Sequence, residues 1–247
     1  MTATRMRVGA PSAFLRKRPD DKAEALTELL FGEEVSVMFS RADWAEVESL
    51  TDGYKGFMHA AALSEPGAAA THLVTALRTL AYPDPNLRAP PIGALSFMSR
   101  TRPADERNGF TQLAQGIWVP ASHLSPIGTV EPNYIKTAKR FLEVPYLWGG
   151  RTAQGLDCSA LVQLSLAAAG IAVPRDSAPQ RASVGQRVLG DAPPRAGDLV
   201  FWPGHVAFAI EDGNIIHSNA HHMAVAIEPL SALVGRVGPA VEVRRLG

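Results

Sequence analysis

A single cysteine among 247 residues excludes an intrachain disulfide framework. Surplus charge is missing too. Lys and Arg total 24 and Asp and Glu total 24, so long-range electrostatics offer no handle on nucleic acid or an anionic membrane surface. The longest apolar run, Leu161 to Val173, is too short and interrupted for a bilayer-spanning helix. The opening Met1-Thr2-Ala3-Thr4-Arg5-Met6-Arg7 is not followed by the apolar core of a signal peptide. These absences lead us to expect a cytoplasmic protein with no nucleic-acid and no membrane partner. Hydrophobic residues make up 46% of the 26.4 kDa chain, enough to bury the core of one large domain or of several small ones.

The lone cysteine sits where a Gly-rich loop runs into a helix. In Asp157-Cys158-Ser159-Ala160 followed by Leu161-Val162-Gln163-Leu164-Ser165-Leu166-Ala167-Ala168-Ala169, Asp157 reads as the N-cap of an amphipathic helix and Gly170 as the residue just past its end. Cys158 then lies in the first turn. Unpaired N–H groups and the helix dipole there are expected to favour the thiolate, and the same N–H groups suit an oxyanion. A lone cysteine is more often a small buried hydrophobe, so the reading depends on a histidine partner.

Gly197-Asp198-Leu199-Val200-Phe201-Trp202 and His205-Val206-Ala207-Phe208-Ala209-Ile210 read as strands joined at Pro203-Gly204. After Asp212-Gly213, the run Asn214-Ile215-Ile216-His217-Ser218 reads as the returning strand. A two-residue loop would turn His205 and His217 to opposite faces. A three-residue loop pairs Ile210 with Asn214 and sets His217 opposite Ala207, on the face of His205. We expect the second case, a type I turn plus bulge with Gly213 left-handed. His205 then takes the proton of Cys158, and His217 holds the ring of His205 by a ring-to-ring hydrogen bond. Either histidine alone reads as an ordinary strand residue; the pair, after a cysteine helix, reads as base and orienter.

These residues carry a resemblance. Pro145-Tyr146-Leu147-Trp148-Gly149-Gly150, Asp157-Cys158-Ser159, Pro174-Arg175-Asp176-Ser177-Ala178-Pro179-Gln180, Gly197-Asp198-Leu199-Val200-Phe201-Trp202 with His205, and Ile216-His217 together resemble the NlpC-type cell-wall cysteine peptidases over about residues 129–247. The resemblance implies an α+β chain with a papain-like domain, its cysteine helix packed on an antiparallel sheet that supplies both histidines. It implies cleavage next to D-glutamate in peptidoglycan stems, with Cys158 as nucleophile, His205 as base and His217 as orienter. Tyr146 matches the family tyrosine near the sulfur, an oxyanion donor, against its other reading as a packed loop aromatic. The family usually has glycine where this chain has Ala160, a methyl expected to narrow the cleft.

Upstream the chain shows short strand-like runs and many turns, and it divides at Glu65-Pro66-Gly67. Alternation in Val35-Ser36-Val37 and Trp44-Ala45-Glu46-Val47 is the half-buried strand signal. The second segment repeats the order loosely, with Leu87-Arg88, Ile92 to Phe97, Gly109 to Leu113 and Gly116 to Pro120 as its runs. Both segments resemble bacterial SH3-like barrels, giving 1–66, 67–128 and 129–247 as domains. This arrangement looks like the cytoplasmic dipeptidyl-peptidases of murein recycling, which act on small murein peptides with a free N-terminal L-alanine. By that resemblance Tyr54 meets the substrate from the first barrel, although a barrel-core aromatic is an equal reading. By the same resemblance Asp157, Ser159, Asp176 and Ser177 belong to the dipeptide site, although its N-cap duty alone explains Asp157.

A buried ammonium needs a carboxylate. Asp21, Glu24 and Glu28 are first-barrel candidates that sequence does not separate, and Arg175 reads by default as a surface arginine. His217, His221 and His222 cluster in sequence, but no carboxylate pair stands at ligand spacing, so neither a metal nor a cofactor is expected. A related Cys-His amidase or acyltransferase, and a non-catalytic muropeptide-binding protein, are the competing readings.

Overall fold

The computed structural model describes residues 4–190 and 192–247, so the first three residues of the Met1–Arg7 segment lie outside the described residues. The chain divides into two compact units, Met1–Thr129 and Val130–Gly247. The first is all-β. The second combines helices with a sheet, so the chain is α+β as expected.

The first unit begins with strands β1 (Thr4–Val8), β2 (Ser12–Arg16), β3 (Ala25–Leu30), β4 (Glu34–Arg41), β5 (Trp44–Ser49), β6 (Lys55–His59) and β7 (Leu63–Ser64). They form one antiparallel sheet in the order β3-β2-β6-β5-β4-β1-β7. In β5 the pleat buries Ala45, Val47 and Ser49 and leaves Trp44, Glu46 and Glu48 half-buried. Register shifts after Leu15 and Val37 mark the bulges that curl such a sheet around its own core of Val8, Leu15, Leu29, Val47 and Met58.

Short ladders follow, built from β8 (His72–Val74), β9 (Arg78–Ala81), β10 (Gly93–Ser96), β11 (Arg100–Thr101), β12 (Pro103–Arg107), β13 (Phe110–Leu113), β14 (Trp118–Pro120) and β15 (Leu124–Pro126). Their core gathers Val74, Leu95, Leu113 and Val119 around Phe31, which comes from the preceding segment. The Phe31 carbonyl accepts from the Arg100 N–H at 2.8 Å. Leu87-Arg88, expected to be extended, instead lies in a turn where the Asn86 side chain accepts from the Arg88 N–H at 3.0 Å, and Leu87 is exposed.

The second unit contains α1 (Tyr134–Lys139), the small hairpin β16 (Arg151–Thr152) and β17 (Gly155–Leu156), α2 (Cys158–Ala168), α3 (Ser177–Ser183), β18 (Gln186–Arg187), β19 (Leu199–Trp202), β20 (His205–Ala209), β21 (Asn214–Asn219), β22 (Ala224–Pro229), α4 (Leu230–Val237) and β23 (Glu242–Arg245). The six-stranded antiparallel sheet runs β18-β23-β19-β20-β21-β22. Val200, Trp202, Ala207, Ala209 and Ile215 share the face covered by Leu233 of α4. α2 packs on β20 and β21. Sequence periodicity suggested an amphipathic α2, but residues 158 to 166 are all buried, because α1 and α3 cover what the sheet leaves open. Among the described residues, no helix is long and apolar enough to cross a membrane.

Candidate active site

The start of α2 is fixed by a close backbone turn. A Cβ on Gly150 would lie 2.4 Å from the Gly155 oxygen, and one on Gly155 would lie 2.6 Å from the Leu147 Cβ, so both positions require glycine. The turn delivers Asp157 to the N-cap, where Oδ1 accepts from the Ala160 N–H at 2.8 Å and Oδ2 from the Gly149 N–H at 3.0 Å. Gly170, at φ +77°, ends the helix as expected.

Arg175 corrects an expectation. Instead of lying at the surface it is 2% exposed, with Nη2 at 2.6 Å from Asp157 Oδ2 and Nη1 at 2.9 Å from both Asp157 Oδ1 and Ser159 Oγ. The buried carboxylate supplies the partner that makes burial of a guanidinium tolerable.

Cys158 is 7% exposed, and the backbone N–H groups of Val206 and Ser159 are within hydrogen-bonding reach of its sulfur. The sulfur therefore meets β20 one residue from His205. Sequence position suggested a thiolate, yet burial pushes the thiol up to about 12, and the Asp157 charge adds to this. The two N–H groups and Arg175 oppose the shift without offsetting it. Burial therefore favours the thiol over the thiolate.

β20 and β21 pair Phe208 with Ile216 and Ala209 with Ile215, and the Ile210 N–H donates to the Asn214 carbonyl at 2.8 Å. This is the register of the three-residue loop, and it sets His217 on the face of His205. Gly213 is left-handed at φ +69°, but Asp212 is left-handed as well at φ +59°, so the loop is not the expected type I turn. Aspartate tolerates that conformation better than most residues. His205 Nε2 lies 2.8 Å from His217 Nδ1. Burial lowers His205 to about 4, and the neighbouring His217 lowers it further. Burial likewise takes His217, which is fully buried, to about 4 against the opposing pull of Glu228.

Sequence reasoning missed the next partner. His217 Nε2 lies 2.9 Å from Glu228 Oε1, and Arg236 Nη1 donates to Glu228 Oε2 at 2.7 Å. Hydrogen bonds from Arg236 hold the Glu228 carboxyl below the usual carboxylate range, although burial pushes the other way. The signal was the pairing of β22 with β21, which sets Ala226 opposite His217 and Glu228 one pleat further along the same face. A carboxylate therefore does stand near the histidines, and the ligand atoms of His217, His222 and Glu228 lie within 4.8 Å of one another. Each is already engaged, His222 with Asn219 Oδ1 at 3.0 Å.

Tyr146 is half-buried before the turn, its N–H bonded to the Met223 carbonyl at 2.9 Å. Burial is the main cause that raises its phenol to about 12, so it remains a hydrogen-bond donor. Ala160 is fully buried, its methyl inside the packing of α2. Asp176 and Ser177 are half-buried at the start of α3. Gln180, also missed, donates to the Ser159 and Pro174 carbonyls at 3.0 and 2.8 Å and ties α3 to the start of α2. The second unit thus brings Cys158, His205, His217, Tyr146, Asp157 and Ser159 into one region.

Tyr54 belongs to the first unit, half-buried in the turn before β6 with its N–H 3.3 Å from Asp52 Oδ1. Of the acidic candidates, exposed Asp21 bonds His59 at 2.8 Å, Glu24 pairs with Lys17 at 3.4 Å, and buried Glu28 accepts from Ser12 Oγ at 2.6 Å.

Comparison with known proteins agrees with this geometry. Residues 143–234 match the NlpC/P60 family, and residues 15–63 match the bacterial dipeptidyl-peptidase SH3 domain. A gamma-D-glutamyl-L-lysine dipeptidyl-peptidase of Bacillus subtilis (strain 168) is 30% identical over 234 residues, covering 84% of this chain and 77% of that protein. A protein of the same description from Bacillus cereus (strain ATCC 10987 / NRS 248) is 28% identical over 240 residues, covering 83% of this chain and 70% of that protein. The crystal structure of an NlpC/P60 family protein from Bacillus cereus ATCC 10987 superposes with a TM-score of 0.82 at 25% identity, covering 98% of this chain and 99% of the other. With its all-β, SH3-like N-terminal part and its Cys-His site, the chain belongs to the NlpC/P60 family of cysteine peptidases.

Proposed function

We propose that this peptidase hydrolyses the γ-D-glutamyl–diamino acid bond of small murein peptides bearing a free N-terminal L-alanine, releasing L-Ala-D-Glu in cytoplasmic recycling of the cell wall. In this reading residues 1–66 and 67–128 are two SH3-like barrels and 129–247 the catalytic domain. The observation that carries it is the meeting of Cys158 with the start of β20, where His205 is hydrogen-bonded to His217 at 2.8 Å. The named activity of the Bacillus relatives, which align with most of this chain, supports the substrate class.

His205 takes the thiol proton as Cys158 attacks the γ-carbonyl of D-glutamate. The C–S bond forms, the carbonyl oxygen becomes an oxyanion beside the Cys158 N–H and the Tyr146 hydroxyl, and His205 returns the proton to the departing amine as the C–N bond breaks. Water then gives its proton to His205 and cleaves the thioester, restoring the thiol. Asp157, Ser159, Asp176 and Ser177 hold the L-alanine end. Because Arg175 already balances Asp157, Asp176 brings a second carboxylate for the ammonium.

Mass spectrometry of L-Ala-γ-D-Glu-meso-diaminopimelate and its lysine counterpart, each free and N-acetylated, tests the proposal with wild type and Cys158→Ala. Cleavage of the free-amine peptides alone, abolished in the variant, is the expected outcome. Equal cleavage of the acetylated forms would mean a wall-type endopeptidase, and no cleavage would favour an amidase or a binding protein.

A further inference from the structure

The hydrogen-bond chain that starts at His205 continues past His217, and its far end dictates where protons sit at its near end. Glu228 is gripped by Arg236 of α4, with Nη1 on Oε2 at 2.7 Å and Nη2 on Oε1. A carboxylate held this way only accepts. His217 Nε2, at 2.9 Å from Glu228 Oε1, must therefore carry the proton. A neutral imidazole has one N–H, so His217 Nδ1 is a bare acceptor. His205 Nε2, 2.8 Å from that nitrogen, must then be the donor. His205 Nδ1 is left as the nitrogen with a free lone pair.

We infer that Glu228, fixed by Arg236, is a positioning residue that selects the tautomer of both histidines and so decides which nitrogen of His205 is the base. The inference rests on the proposed roles of Cys158 and His205. The fold builds the arrangement in: β22 places Glu228 one pleat from the residue opposite His217, and α4 begins directly after β22 and brings Arg236 back to it. The groups facing Glu228 are His217 from β21, Arg236 from α4 and His222 from the turn before β22. Burial keeps both imidazoles neutral near pH 7, the condition under which tautomer choice matters. Carboxylate partners orient imidazoles in the same way behind metal-bound histidines, where their loss typically costs roughly 10- to 100-fold in activity or metal affinity.

The direct test is long-range 1H–15N correlation on wild-type protein labelled with 15N-histidine at pH 7.5, with assignments from His205→Asn and His217→Asn. Both imidazoles are expected to be protonated at Nε2 alone. A His205 protonated at Nδ1 would overturn the inference without any change at Glu228. In Glu228→Gln the side-chain amide offers either a donor or an acceptor, so a mixture of tautomers is expected. With it should come a fall in kcat of roughly 10- to 100-fold, KM within about twofold, and an acid limb of kcat/KM moved to lower pH. The last sign follows because the Glu228 charge favours the imidazolium of both histidines. A purely structural ion pair would leave tautomers, kcat per folded molecule and pH profile unchanged and lower only the melting temperature. If wild type cleaves no murein peptide, the proposed function fails, and the tautomer measurement still decides this inference.

Discussion

Asp157, the chain neighbour of Cys158, forms a buried ion pair with Arg175, and its carboxylate oxygens also accept from Ala160, Gly149 and Ser159. Removing the guanidinium leaves a buried charge without its counter-ion, which typically costs about 3–5 kcal/mol. Arg175→Met is expected to destabilise by that order in urea unfolding. Arg175→Lys should rescue little, because one ammonium does not reproduce the fork that reaches Asp157 and Ser159 together. This residue was not legible from its neighbours in sequence. The Asp157-Cys158-Ser159 motif was, since capping and nucleophile chemistry are local, whereas Arg175 becomes buried only because the chain after α2 folds back and brings it against the Asp157 carboxylate. Glu228 escaped for the same reason, its meaning arising from a strand pairing that carries no motif.

Elements set the geometry that residues exploit. The β20–β21 loop length was readable from Asp212-Gly213 because only one register puts both histidines on one face, and the structure has that register. The Asp212 conformation was not readable, since aspartate occupies either turn geometry at little cost. Complete burial of α2 was equally hidden: periodicity reports the face toward the sheet and is silent about helices that arrive from elsewhere. The hairpin of β16 and β17 gives a sharp prediction. Gly150→Ala forces a methyl against the Gly155 backbone, 2.4 Å from its oxygen, and should cost about 1–3 kcal/mol by overpacking. Because this turn delivers Asp157 to the N-cap, kcat/KM should fall along with the melting temperature. Gly93→Ala, whose added methyl meets nothing within 4 Å, provides the comparison.

At the scale of the whole molecule, stability should depend on acidity through the buried imidazoles. His205 and His217 are held to about 4, against 6.5 for an unperturbed histidine. Between those values the unfolded chain binds protons that the folded chain refuses, so stability rises with pH. The contribution is fully present above about 6.5 and is lost as pH falls toward 4. Melting temperatures measured from pH 7 down to 4.5 should fall, and a double variant, His205→Asn with His217→Asn, should show a shallower slope. An unchanged slope in the double variant would place the acid sensitivity in other groups.

The enclosure of Cys158 has a chemical corollary. Peroxides and alkylating agents attack thiolates, and they need a path to the sulfur. A sulfur that is 7% exposed, and whose burial disfavours the thiolate, offers such reagents little access. The enzyme should therefore lose its one cysteine sulfur to oxidants far more slowly than an open surface thiol would.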